Sequence, residues 1–110
     1  MLLTTTSQLD GFVITQYLGV VAGEAAVAPV ELRDFANFIH REGGGRHPEF
    51  ENLIRQTRQI ALMNLESEAR EVGADAVVAV NLQYSHLAAD GLIMIAAIGT
   101  AVQTTDRRKL

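Results

Sequence analysis

The chain has 110 residues, of which 48% are hydrophobic and only 20% charged, with a net charge of −4 and no cysteine. The missing thiols exclude disulfide frameworks, thiolate metal sites and cysteine nucleophiles, and the acidic balance offers no basic face to a nucleic-acid backbone. The longest apolar run, Leu92 to Ile98, is far short of the roughly 20 residues that span a bilayer, and no charged leader precedes a long apolar stretch. The expectation is one soluble, cytoplasmic domain over residues 1–104, a flexible tail over 105–110, and no nucleic-acid or membrane partner.

In chain order, Met1 to Thr6 is short and β-prone, because the three threonines at 4 to 6 suit a pleated surface through their branched carbons. It reads as an extra N-terminal edge strand, although its hydroxyls could also meet a ligand. Asp10-Gly11 reads as a tight turn. Phe12 to Val27 then reads as one long strand or two collinear ones, apolar on both faces between Tyr17 and Ala22. Gly19 and Gly23 mark a bulge, a bend or a close backbone approach. Glu24 stands alone among small residues, either paired with an arginine or functional.

Pro29 suits the first turn of a helix, and Leu32, Phe35, Ala36 and Ile39 repeat at helical spacing up to Gly43. Gly43-Gly44-Gly45-Arg46 reads as a helix-to-helix turn. It is no phosphate cradle, because Pro48 removes a donor, Glu49 and Glu51 already place negative charge in the next first turn, and no Lys-Ser/Thr pair follows. A second helix from Pro48 to Val72 carries a stripe of Phe50, Leu53, Ile54, Thr57, Ala61, Leu65, Ala69 and Val72, with Ile60 beside it. Glu51–Arg55 and Glu66–Arg70 are favourable i,i+4 pairs, and Gly73 is the natural left-handed cap.

The strand after Asp75 alternates Ala76, Val78, Val80, Leu82 and Tyr84 on one face. Its other face passes from Val77 and Ala79 to the polar Asn81, Gln83 and Ser85. Ala88-Ala89-Asp90-Gly91 turns the chain, and Leu92 to Val102 returns as a strand apolar on both faces, with Gly99 at a bulge or bend. The order predicts an α+β fold: a β-α-β-β unit with an antiparallel sheet of order 1-3-2, the last strand inserted between the other two, and two helices on one face. Strands apolar on both faces need both faces covered. No third helix remains to do so, and at roughly 25 cal/mol per Å² a wet apolar face costs several kcal/mol. Another copy is the simplest cover, and a closed homo-oligomer the safe form.

Thr4-Thr5-Thr6, Tyr17-Leu18-Gly19, Gly23-Glu24, Arg33-Asp34, Gly44-Gly45-Arg46, Gly73-Ala74-Asp75-Ala76-Val77-Val78 and Gly99-Thr100-Ala101-Val102 resemble, in order and spacing, the YbjQ-like proteins. This is a bacterial and archaeal family of uncharacterised function, labelled for heavy-metal binding. The resemblance implies a dodecin-like fold, a homopentamer and a metal ion as ligand. Flavin enters by analogy of fold alone, with no tryptophan to stack on it. The chain departs from the family pattern at His47-Pro48, and at Phe50, where tyrosine is frequent.

Soft metals want thiolates or several imidazoles, whereas His40, His47 and His86 are scattered and form no His-x3-His pair. Only symmetry could bring single donors from several copies together. The polar residues beside small or glycine-rich stretches, Glu24, Arg33, Asp34, Arg46, Glu51 and Asp75, are the candidate ligand-binding set at subunit interfaces, with structural ion pairs as the competing role. No Ser/His/Asp order or spaced carboxylate pair marks a catalyst. A homopentameric binding or scaffold protein is therefore expected, the alternative being an enzyme whose site is assembled across the subunit interface.

Overall fold

The computed structural model describes residues 1–27, 48–87 and 92–110. It contains β1 (Leu2–Leu3), β2 (Phe12–Val27), one helix, α1 (Pro48–Glu71), then β3 (Ala76–Leu87) and β4 (Leu92–Asp106), followed by a 3-10 turn over Arg107–Lys109. The helix expected from Pro29, the Gly43–Arg46 turn and the Ala88–Gly91 turn lie outside the described residues. The sheet order is β1-β3-β4-β2, and β4 runs antiparallel to both its neighbours. β1 is parallel to β3, so the sheet is mixed, not wholly antiparallel. The reason is the segment after β1: it crosses under the sheet to start β2 on the opposite edge instead of folding back as a hairpin.

Helix α1 forms where expected and ends on Gly73 at φ 82°. Gly73 N donates to Arg70 O and Ala74 N to Ala69 O, both at 3.0 Å, the paired bonds of a Schellman cap. Thr57, Ala61, Leu65 and Ala69 are buried along one stripe, whereas Ile60 and Val72 stay exposed. Thr57 satisfies its hydroxyl by donating to Leu53 O at 2.8 Å. Glu66 meets Arg70 at 3.7 Å and the Met1 ammonium at 3.4 Å. The stripe lies mainly on β2, where Gly23 leaves room for helix backbone: a Cβ there would come within 2.8 Å of the Asn64 carbonyl carbon, and closer still to Leu65 N and Ala61 O.

Bulges decide which side chains share a face. In β2 the register shifts between Ile14 and Gln16 and again between Tyr17 and Gly19, adding one residue each time. In β3, Val78 pairs Thr100 and Asn81 pairs Ile98, so Ala79 and Val80 together oppose Gly99. Ala79 takes φ 54°, a left-handed conformation uncommon for alanine. The expected single face of Ala76, Val78, Val80, Leu82 and Tyr84 is thereby overturned, because an extra residue flips everything beyond it. Val77 and Val80 join the helix-side core with Leu65, Ile95, Ala97 and Ala101. Ala76 and Val78 join a second cluster on the far face with Leu9, Val102 and Ile14.

That second cluster is covered by the chain's own N-terminal segment. Thr4 N donates to Val77 O at 3.0 Å, while Ala79 N and Val80 N donate to Thr6 O and Thr4 O at 2.8 and 2.9 Å. These bonds hold the bulge and set Leu9 against the sheet. β4 continues past Val102 because Asp75 Oδ2 accepts from Thr104 N at 2.8 Å and Phe12 pairs Asp106. Residues 105 and 106, expected in a tail, are therefore strand, and Arg107 N bonds Gly11 O at 2.9 Å. The Cα atoms spread over 62 × 22 × 15 Å with a radius of gyration of 17.8 Å, against about 13 Å for a compact domain of about 100 residues.

Candidate functional site

The level of Thr100, which pairs Val20 on one side and Val78 on the other, divides the sheet. Below it the N-terminal segment covers the far face. Above it no described residue does. Directly paired residues share a face, so the bare region consists of three rows: Ala22–Ile98–Asn81, Glu24–Ala96–Gln83 and Ala26–Met94–Ser85. At about 4.8 Å per strand, the Glu24 and Gln83 backbones lie about 10 Å apart across Ala96. Tyr17 and Val20 border the rows, 68% and 76% exposed, and within them Met94 and Ile98 are 38% and 36% exposed. The surface is thus an apolar floor with one carboxylate on the β2 side and a line of amides and a hydroxyl on the β3 side. Asn81, Gln83 and Ser85 join it only because of the Ala79 bulge, which leaves no signal in the residue pattern.

Glu24 is fixed from behind. Asn64 Nδ2 on α1 donates to Glu24 O at 3.0 Å, so the backbone is tied to the helix while the exposed carboxylate belongs to the opposite face. No hydrogen bond or ion pair reaches that carboxylate among the described residues. Asp75 does different work: it anchors Thr104 N, and its own N–H donates to Val102 O at 2.8 Å. Along β4, Thr104 and Ala96 are about 26 Å apart, so Asp75 and Glu24 do not share a site. Glu51 sits in α1, a helical distance of about 20 Å from Asn64. Arg33, Asp34 and Arg46 lie outside the described residues.

Two open concavities flank the N-terminal segment. One of about 530 Å³ is lined by Thr4, Thr6, Ser7, Gln8 and Asp10 with Leu2 and Leu9, and one of about 230 Å³ includes Asp10, Phe12 and Arg107. The threonines are occupied internally. Thr6 Oγ1 donates to Gln8 O at 2.7 Å and lies 2.9 Å from Thr4 Oγ1, so the Thr4 hydroxyl supplies the second proton. Thr6 N in turn donates to Thr4 Oγ1 at 3.2 Å. With both protons used, the hydroxyls hold the loop and offer a ligand only lone pairs. Further along, Arg108 bonds Asp106 at 3.0 Å and holds that carboxyl below its ordinary value, while Asp106 raises Arg108 in return.

These features define a small α+β protein with one described helix on a curled, mixed four-stranded sheet, and no described helix long and apolar enough to cross a membrane. The YbjQ family model, described as "Putative heavy-metal-binding", matches residues 1–105, and the chain belongs to that family. A UPF0145 protein of Actinobacillus pleuropneumoniae serotype 5b is 43% identical over 103 residues, covering 93% of this chain and 97% of that one. A UPF0145 protein of Halalkalibacterium halodurans is 42% identical over 107 residues, covering 97% and 99%. A crystal structure of a protein of unknown function from Pediococcus pentosaceus, of the DUF74 family, is similar in fold, with TM-score 0.63 at 15% identity over 96% of this chain and 98% of that one.

The described residues alone offer no donor set that fits the metal in the family description. Among the described residues no three His, Cys, Asp or Glu side chains come together, and His86 stands exposed near the end of β3. Soft ions need several nitrogen or sulfur donors at once.

Proposed function

We propose that the chain forms a closed homo-oligomer, a pentamer on the dodecin-like pattern implied by the resemblance, and acts as a binding or scaffold protein that takes a small ligand at subunit interfaces. The observation that carries this is the bare upper face of the sheet. Val20, Met94 and Ile98 are exposed together there, with Tyr17 just beyond the border, and contiguous apolar patches on monomers are rare outside interaction sites. The carboxylate of Glu24 inside that patch is the candidate ligand contact. A metal would need donors from several copies meeting on an axis, and no catalytic step is assigned to the chain.

The test is a light-scattering mass of the purified protein at micromolar concentration, with an absorbance spectrum, elemental analysis and mass spectrometry of any co-purified small molecule. A mass of five chains is expected, with a bound species that Glu24→Gln loses while keeping the oligomer. A mass of one chain overturns the assembly. A protein that carries nothing, or a Glu24→Gln variant that falls apart, overturns the binding role.

A further inference from the structure

We propose that the concavity of about 230 Å³ beside the Leu9–Phe12 turn is a binding site for a free α-amino acid with an apolar side chain. Asp10 takes the ammonium, Arg107 the carboxylate, and Phe12 and Ile14 the side chain. The site lies far from Glu24: Phe12 pairs Asp106 and Glu24 pairs Ala96, about 30 Å apart along β4. It is therefore independent of the ligand role given to Glu24 above.

Backbone bonds place the two charges. Phe12 N donates to Leu9 O at 3.1 Å, and Gly11 takes φ 85°, the positive value that the third position of a type II turn requires. Asp10 is thus at the tip of the turn. Gly11 O accepts in its turn from Arg107 N at 2.9 Å, which sets Arg107 beside the residue that follows Asp10. The side chains of Asp10, Arg107 and Gln8 line one concavity, and among the described residues none of them makes a hydrogen bond or ion pair. The next guanidinium, Arg108, is already committed to Asp106 at 3.0 Å. An exposed pair gains only about 0–1 kcal/mol by closing on itself, so a ligand that meets both groups at once gives up little.

The lining selects the chemistry of the occupant. A simple anion drawn to Arg107 meets the Asp10 carboxylate, and a simple cation drawn to Asp10 meets the guanidinium, so like charges count against either alone. A zwitterion satisfies both. Its carboxylate matches the planar fork of the guanidinium, and its ammonium brings donors to a carboxylate that only accepts. The wall beneath is apolar. Phe12 and Ile14, two residues apart, share one face of β2; Phe12 is 45% exposed, and Ile14 packs on the cluster that holds Leu9. The volume of about 230 Å³ falls below the roughly 300–1,000 Å³ of drug-sized sites, which favours a single amino acid over a peptide.

Calorimetric and NMR titrations of the full chain test this with L-leucine and L-phenylalanine. Two analogues each lack one charge: leucinamide has no carboxylate, and N-acetyl-leucine has no ammonium. The amino acids should bind saturably and shift the amide resonances of Gly11, Phe12 and Arg107. Each analogue should bind at least about tenfold more weakly. Asp10→Asn and Arg107→Gln should weaken leucine by a similar factor at unchanged Tm, because both keep the backbone bonds of the turn. No saturable shift up to about 10 mM amino acid overturns the site. Analogues that bind as tightly as leucine overturn the zwitterion, and shifts confined to the face around Glu24 overturn the location. The analogue comparison uses the wild-type chain, so it decides the question even where a variant fails to fold.

Discussion

Replacing Gly23 with alanine tests the closest approach of helix to sheet. The new Cβ would lie within 2.8 Å of the Asn64 carbonyl carbon and nearer still to two other helix backbone atoms. A flexible side chain could swing aside, but helix backbone cannot, so α1 must lift by roughly 1 Å to restore contact distance. A gap of that size forfeits about a quarter to a half of each dispersion contact, and a buried leucine makes roughly 40–60 of them at about 0.1–0.2 kcal/mol. For Leu65 alone this is about 2 kcal/mol, and the lifting of Ala61 and Ala69 brings the sum to about 3 kcal/mol. The Asn64–Glu24 bond at 3.0 Å lengthens with it. Thermal and urea unfolding at fixed protein concentration should show a fall in Tm of roughly 12–20 °C. The control is Gly19→Ala, where nothing lies within 4 Å but φ is 106°, so the cost is conformational, about 1–2 kcal/mol. If Gly23→Ala costs less than about 0.5 kcal/mol, or less than the control, the helix does not rest on the strand as described.

Two further outcomes follow from local geometry. Ala79→Gly should stabilise the chain by up to about 1 kcal/mol, because relief of the left-handed alanine outweighs the extra entropy that glycine loses; a lower urea midpoint would contradict the strained bulge. The Asp106 carboxyl, held down first by the Arg108 side chain, should titrate by NMR below its ordinary value of 3.8. With the folded value depressed, the stabilisation is present above the unfolded value and is lost as pH falls through the folded one. Arg108→Ala should raise the carboxyl toward the ordinary value, with the backbone N–H of residue 108 still holding it down in part, and an unchanged midpoint would refute the side-chain pair.

The helix was legible because every level agreed on it: Pro48 at the start, a 3.6-residue stripe from Ile54 to Ala69, and glycine at the cap. The two-sided apolar character of β4 was legible for the same reason, since Ile95 and Ala97 alternate with Met94 and Ile98 without interruption. What the pattern concealed were the bulges. Ala79 in a left-handed conformation is a choice imposed by bonds from Thr4 and Thr6, residues more than seventy positions away, and no local propensity announces it. That one residue moved Asn81, Gln83 and Ser85 to the face shared with Glu24. Leu9 was likewise overlooked as a core residue, because a lone leucine among polar neighbours carries no period. Of the candidate site residues, Glu24 lies on the bare face and Asp75 serves the strand end. Spacing along the chain could not separate them, since both border small residues.

The register of β2 carries a consequence for synthesis. Its first residue pairs with Asp106 and its last with Ile93, so a chain emerging from the ribosome has β2 and α1 long before it has β4. Until then β2 has no strand to pair with, and Leu9 has no floor formed by Val102. Pairing partners this distant in sequence make folding slow, and the unpartnered strand stays open to wrong neighbours throughout. The sheet can close only after β4 has been made. A nascent chain therefore carries its longest strand, β2, unpaired until β4 has been made.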